Sequence, residues 1–179
     1  MEHRFRSSRL LYRAIEDTEK DSAFMYNVQA DVVTRANAET GLLKPLTKKG
    51  SAKHLDYAAN KTLLGVIICL SPDLSSPVEP YYCTPVGSMY LKAPKTGEEH
   101  HRNSYITIDI IAGHQRKGYG SEAIAWLLDW GFRIAGLHRI GIESFSWNEG
   151  ASRLYERLGF VLEGRKRECF WFNGVGMIA

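Results

Sequence analysis

The segment that most restricts how this chain can fold is Gln115-Arg116-Lys117-Gly118-Tyr119-Gly120. The apolar run Tyr105 to Ile111 precedes it and reads as a strand; the run Ser121 to Ala135 follows it and reads as a helix. A strand that enters a helix through a glycine-rich turn leaves the first N–H groups of that helix without intrahelical partners. The macrodipole adds partial positive charge at the same place, so the turn is suited to an anion. Gly118 and Gly120 let the backbone approach a bulky anion such as a pyrophosphate, and Arg116 and Lys117 add formal charge beside it. The run lacks the Gly-Lys-Ser/Thr ending of a P-loop and the full G-x-G-x-x-G of a dinucleotide fold. By itself it reads equally well as a tight turn with two solvated cations.

The residues that follow extend the pattern. Ile124, Leu127, Leu128 and Ile134 recur at helical spacing, with Gly131 on the same stripe. Glu122 falls in the first turn, where a carboxylate suits the dipole, and Gly136 is placed to end the helix. Arg139 to Phe145 alternates and reads as a strand. A shorter helix with Ala151, Leu154, Tyr155 and Leu158 on one stripe comes next, with Asn148 as its cap and Gly159 as its stop. Phe160-Val161-Leu162 then reads as the start of another strand.

Gln115-x-x-Gly118-x-Gly120 on a strand-to-helix turn resembles the acyl-CoA pyrophosphate loop of the GNAT N-acetyltransferase superfamily. Asn148-Glu149-Gly150-Ala151, followed by Leu154-Tyr155-Glu156-x-Leu158-Gly159-Phe160, resembles that superfamily's second block. The wording of this block, with Trp126 and Trp130, resembles the branch that acetylates the N-terminal alanine of ribosomal proteins. The resemblance covers roughly residues 105 to 165. It implies an α/β (α+β) fold: one GNAT-like domain over residues 1–179, with a mixed, mostly antiparallel sheet splayed at its centre and flanked by helices.

The activity implied is direct acetyl transfer from acetyl-CoA to a primary amine, either a peptide N-terminus or a small molecule. On that reading Ile108, Asp109 and Ile110 offer strand backbone to the pantetheine amides. Gln115, Arg116, Lys117, Gly118, Tyr119, Gly120 and Ser121 form the pyrophosphate loop, and Asn148 and Ala151 meet the pantetheine arm. Asn148 is also a plain helix cap by type. Tyr155 is the implied general acid, since a phenol with pKa of about 10 is protonated at neutral pH; as a pattern alone it is a core aromatic. Glu143 is the first candidate for a base, and otherwise a surface carboxylate or an amine-binding anion; Asp109 is the second. A catalytically silent acyl-CoA-binding or interaction domain is the alternative of a different class, and a nucleotide-binding protein a third.

Composition agrees with one globular catalytic domain. Hydrophobic residues make up 44% of 179, enough for a sizeable core. A net charge of +3 is too small to suggest nucleic acid as the main partner. No apolar run approaches a membrane span of about 20 residues, and the start of the chain has no signal-like core. Cys69, Cys83 and Cys169 show no C-x-x-C and read as buried free thiols, with no metal site and a reduced, cytoplasmic setting as the expectation. The His100-His101 pair with Glu98 and Glu99 reads as solvated loop. Oligomeric state is left open, a homodimer included. The rest of the chain reads as a strand over Arg9–Ile15 and a helix over Asp21–Ala38 capped by Asp21 or Ser22. A short helix over Ser51–Asn60, a strand over Thr62–Leu70, a proline-rich loop over Ser71–Pro85 and a strand over Val86–Leu91 follow. The resemblance implies that the early helices, here about residues 21 to 60, and loops near the C-terminus build the acceptor groove.

Overall fold

A computed structural model describes residues 4–71, 83–172 and 174–177. Most of the proline-rich loop, with Pro72, Pro77 and Pro80, lies outside the described residues; Pro85 lies inside the third strand. The chain runs β1 (Leu10–Ala14), α1 (Glu19–Ala30), α2 (Val32–Ala38), α3 (Lys48–Asn60), β2 (Thr62–Leu70), β3 (Thr84–Lys92) and β4 (Asn103–Ile110). It continues with α4 (Tyr119–Arg133), β5 (Arg139–Gly141), α5 (Glu149–Arg157), β6 (Phe170–Phe172) and β7 (Val175–Met177).

Strands β1 to β5 form one sheet in that order. Pairing is antiparallel from β1 through β4 and parallel between β4 and β5. The expected mixed, mostly antiparallel sheet with flanking helices is therefore the fold that forms. Its two faces bury different partners. Val66 and Ile68 of β2 join Met89, Ile106, Ile124 and Leu127 on the α4 side. Ile67 and Cys69, one residue out of phase, join Met25, Leu55 and Ala58 on the α1–α3 side. A strand sandwiched between two helical layers must be apolar on both faces, and Thr62–Leu70 is.

The early helices differ from the sequence expectation. The α1 cap is Thr18, whose hydroxyl accepts from the Asp21 N–H at 3.2 Å, so the helix begins before Asp21. Asp21 instead turns inward and accepts from both terminal guanidinium nitrogens of Arg13, at 2.6 and 2.8 Å, tying α1 to β1. Burial opposes that carboxylate's charge, but Arg13 and the Glu16 N–H outweigh it and hold the Asp21 carboxyl below its usual range. The expected helix over Asp21–Ala38 also breaks at Asp31, whose side chain accepts from the Val33 N–H at 3.0 Å and starts α2 afresh. Thr47 does the same for α3 and moves its start ahead of Ser51.

Three further expectations are corrected. Only Arg139–Gly141 of the Arg139–Phe145 run is strand, because β5 pairs with β4 over three residues and then leaves it. Phe160-Val161-Leu162 forms no strand and pairs with none among the described residues; Val161 and Leu162 lie open to solvent. Cys69 and Cys83 are not free thiols but a disulfide, with Cα atoms 5.7 Å apart across the ends of β2 and β3; Cys169 is free and exposed. That pairing removes the thiol argument for a reducing compartment. No helix among the described residues is long and apolar enough to cross a membrane.

Helix α3 lies so close to β2 that a Cβ on Gly65 would stand 1.9 Å from the Ala58 carbonyl oxygen. The obstacle is backbone, so it cannot swing aside. Gly65→Ala is expected to lower unfolding free energy by about 1–3 kcal/mol, the range for overpacking, as measured by urea denaturation.

Candidate active site at the split between β4 and β5

Strand β4 outlasts its partner. It pairs with β5 only through Tyr105, and Ile106–Ile110 has β3 on one edge and a cleft of about 1320 Å³ on the other. The Ile111 N–H donates to the Val86 carbonyl on β3. By the period of two, the backbone groups of Asp109 also face β3 and those of Ile108 and Ile110 face the cleft. The carbonyl of Ile110 is taken by the Gln115 side-chain amide at 2.8 Å, so Gln115 staples the turn to the strand.

The turn itself is built as the spacing predicts. Gly118 occupies the N-cap of α4 with φ of 83°, a left-handed conformation that glycine adopts without strain. Arg116 is also left-handed, at φ of 60°. No side chain caps α4, and its first intrahelical bond runs from the Glu122 N–H to the Gly118 carbonyl. The N–H groups of Tyr119, Gly120 and Ser121 are therefore left over at the positive end of a 15-residue helix. A Cβ on Gly120 would have only Leu154 and Ile110, both lining the cleft, within 4 Å.

Gln115, Arg116, Gly118, Gly120 and Ser121 line the cleft, but Lys117 and Tyr119 do not. The Lys117 ammonium donates to the Gly113 carbonyl at 2.8 Å, and the Tyr119 ring sits under the Arg9 guanidinium. Their backbone belongs to the turn, while their side chains face its back.

Helix α5 forms the opposite wall. The Asn148 carboxamide oxygen accepts from the Ala151 N–H at 3.3 Å, so the capping role is real, and both residues line the cleft. Leu154 and Tyr155 pack against the α4-side core. Tyr155 also borders the cleft, where burial and the charge of Asp109 push its phenol up to about 12.

Asp109 is the most perturbed carboxyl in the cleft. Ile106, Ile108 and Ile110 point to the α4 core, so alternation turns Thr107 and Asp109 to the other face, toward Tyr90, His54 and Glu39. Burial first, and the charge of Glu39 second, push the Asp109 carboxyl up to about 7. It has no hydrogen-bonding or ion-pairing partner among the described residues. Glu143 is placed differently. It is half exposed at the cleft rim and ion-paired with Lys166 at 2.7 Å. Burial also depresses His54, which faces Tyr90 with ring centroids 6.1 Å apart.

Sequence reasoning missed Glu39, His54, Tyr90 and Arg9. Glu39, the residue that ends α2, and His54 on α3 lie far from either motif, and no local pattern marks them. Arg9, a cation at the head of an apolar strand, carries a faint signal.

The Acetyltransferase (GNAT) family profile matches residues 39–160, more than half of the chain, and the protein belongs to that family. Its sequence is 40% identical over 74 residues to the uncharacterized N-acetyltransferase YoaA of Bacillus subtilis (strain 168), covering 41% of this chain and 42% of that relative. It is also 40% identical over 74 residues to spermidine N(1)-acetyltransferase of Vibrio cholerae, covering 41% and 43%. The chain thus matches less than half the length of these relatives. The fold is similar to a GNAT-family acetyltransferase from Bacillus anthracis, with TM-score 0.76, 20% identity and coverage of 97% and 93%. It is also similar to spermidine N-acetyltransferase from Vibrio cholerae in complex with CoA and spermine, with TM-score 0.73, 24% identity and coverage of 96% and 92%.

A carboxyl whose folded pKa is raised stabilises the fold at low pH and loses that contribution as pH rises through the folded value. Asp109 therefore loses stability progressively as pH rises from its ordinary value of 3.8 to about 7, and carries the full cost above that. Asp109→Asn is expected to raise the melting temperature relative to wild type by more at pH 8 than at pH 5, as read by scanning calorimetry.

Proposed function

We propose that residues 1–179 act as one acetyl-CoA-dependent N-acetyltransferase domain that acetylates a primary amine, the acceptor being a small polyamine. The observation that carries this reading is that Asp109 and Tyr155 line one cleft at the open edge of β4, both raised by burial, with Glu39 adding to the shift of Asp109 and Asp109 adding to that of Tyr155. The cleft suits an acyl-CoA: an uncapped helix N-terminus for its pyrophosphate, and free backbone at Ile108 and on the Ile110 N–H for its amides. Acetyl-CoA, as co-substrate, supplies an activated thioester.

The protein's own residues divide the remaining work. An amine reaches the site mostly as an ammonium ion and must lose a proton before its nitrogen can attack. An ordinary carboxylate is about six pH units less basic than an alkylamine. Asp109, near 7, closes about half of that gap and is the better base; Glu143, already paired with Lys166, is assigned to the rim. Tyr155 faces the leaving sulfur in this scheme. A phenol near 12 is too weak an acid to protonate a thiolate outright, so its first role is to donate a hydrogen bond as the C–S bond breaks. Burial is the larger reason the Tyr155 phenol is raised; Asp109 becomes neutral on taking the amine's proton, which removes the smaller, electrostatic part and makes proton transfer easier at the moment it is needed.

The choice of acceptor rests on charge. Glu39 and Asp109 face the same cleft, so a cation with more than one amine can be held by one carboxylate while the other takes its proton. Spermidine acetyltransferases among the relatives agree with this better than the ribosomal-protein-alanine branch does.

The test is steady-state acetyl transfer to spermidine, spermine and a peptide beginning with alanine. Polyamines are expected to be the better acceptors. Tyr155→Phe should lower kcat by about 10²-fold with CoA affinity unchanged. Asp109→Asn should abolish the acidic limb of kcat/KM near pH 7. Gly120→Glu, which puts a carboxylate among the cleft-lining N–H groups, should remove CoA binding in calorimetry while the protein stays folded. Preference for the peptide would reverse the acceptor assignment, and a folded wild type that acetylates no amine would refute the enzyme.

A further inference from the structure

We infer that Arg9 is a positioning residue for the anion turn, setting from behind the direction in which the turn's N–H groups point. The inference rests on the proposed acetyl-CoA site and adds to it a residue more than a hundred positions away in sequence.

Arg9 meets the back of the turn at Lys117, Gly118 and Tyr119, and the first turn of α4 at Glu122. The Arg9 Nη1 donates to the Lys117 carbonyl at 3.0 Å. Its Nε donates to Glu122 Oε2 at 2.7 Å, and its backbone N–H to Glu122 Oε1, also at 2.7 Å. Its guanidinium carbon lies 4.9 Å from the centre of the Tyr119 ring, and Nη2 stands 3.1 Å from where a Cβ on Gly118 would be. Arg9, Lys117 and Tyr119 are all absent from the cleft lining, while Arg116, Gly118, Gly120 and Ser121 are part of it. Arg9 thus holds the face opposite the ligand.

The geometry of the peptide bond converts this hold into a function. In a trans peptide the C=O of one residue and the N–H of the next point in opposite directions within one plane. Pinning the Lys117 carbonyl toward Arg9 therefore turns the Gly118 N–H away from Arg9, to the cleft side. The hold has strain to oppose, because Arg116 keeps a left-handed backbone at φ of 60°. Glu122 makes the same device electrostatically safe. A carboxylate in the first turn of α4 would repel a bound pyrophosphate, but Arg9 and the Ser7 hydroxyl, 2.6 Å away, occupy its oxygens. Ser7 in turn meets the Tyr12 hydroxyl at 2.9 Å, and Tyr12 stacks on Trp126 of α4 with ring centroids 3.8 Å apart. Arg9 is half exposed, so its ion pair adds little to global stability and can be removed without unfolding the chain.

The test compares wild type, Arg9→Ala and Arg9→Lys for CoA affinity by calorimetry, KM for acetyl-CoA, KM for the amine, and kcat. Arg9→Ala is expected to weaken CoA and raise KM for acetyl-CoA about tenfold, the size of one charge-assisted hydrogen bond. The amine KM and kcat should stay within about twofold of wild type. Arg9→Lys, which keeps the charge and the fold but lacks the planar fork, should recover less than half of the loss on a logarithmic scale. A lower melting temperature with unchanged CoA affinity would mean a merely structural role and overturn the inference, as would full recovery by lysine. Absence of CoA binding in the wild type would instead refute the acetyl-CoA reading itself.

Discussion

Backbone left without a partner is the constraint around which the rest of the structure is arranged. A buried or semi-buried N–H or C=O costs free energy unless it finds a hydrogen bond. This fold nevertheless leaves two sets of such groups beside one another. One is the edge of β4 beyond Tyr105, from which β5 departs after three residue pairs. The other is the uncapped start of α4. The ring of Tyr105 lies across Gly141, where even a Cβ would come within 2.7 Å of it, and the chain then turns away toward Phe145 and α5. Everything else holds the gap open: α5 packs against the α4 core from the far side, and the β1–β4 sheet stays rigid through its antiparallel ladders.

The same opening shapes the electrostatics. Asp109 and Glu143 are both carboxylates near one cleft, and their environments separate them. Glu143 faces water and a lysine, so its charge is screened and compensated. Asp109 faces Tyr90 and the α2–α3 side, where burial disfavours its charge and Glu39 adds repulsion. That arrangement works against stability at neutral pH and toward basicity, as expected when a site is assembled for proton transfer rather than for folding. Tyr155 is part of the same balance, because its phenol responds to the charge on Asp109.

What the sequence made readable was local. The strand, turn and helix from Tyr105 to Arg133 and the Asn148-capped α5 are written in contiguous spacing, so glycine placement and apolar periodicity were enough. The rest depends on partners remote in the chain. Asp31 splits a helical run because its side chain satisfies the Val33 N–H better than a continued helix would, and residue types alone did not show this. Phe160-Val161-Leu162 has strand composition but pairs with no strand among the described residues. The Cys69–Cys83 link follows from the β2–β3 register, which sets Cys69 opposite Pro85, and not from cysteine spacing. Asp109 could be placed on its strand from sequence, but its proximity to Glu39 and the pairing of Glu143 with Lys166 are products of the tertiary fold.

Amide hydrogen exchange, residue by residue, with and without CoA is the most direct test of the central claim that the split edge of β4 and the start of α4 form one ligand site. The account predicts new protection at the Ile108 and Ile110 amides and across Gly118–Ser121, with β1 and β2 unchanged. CoA binding that leaves those amides exchanging as before, or that protects a different surface, would contradict it.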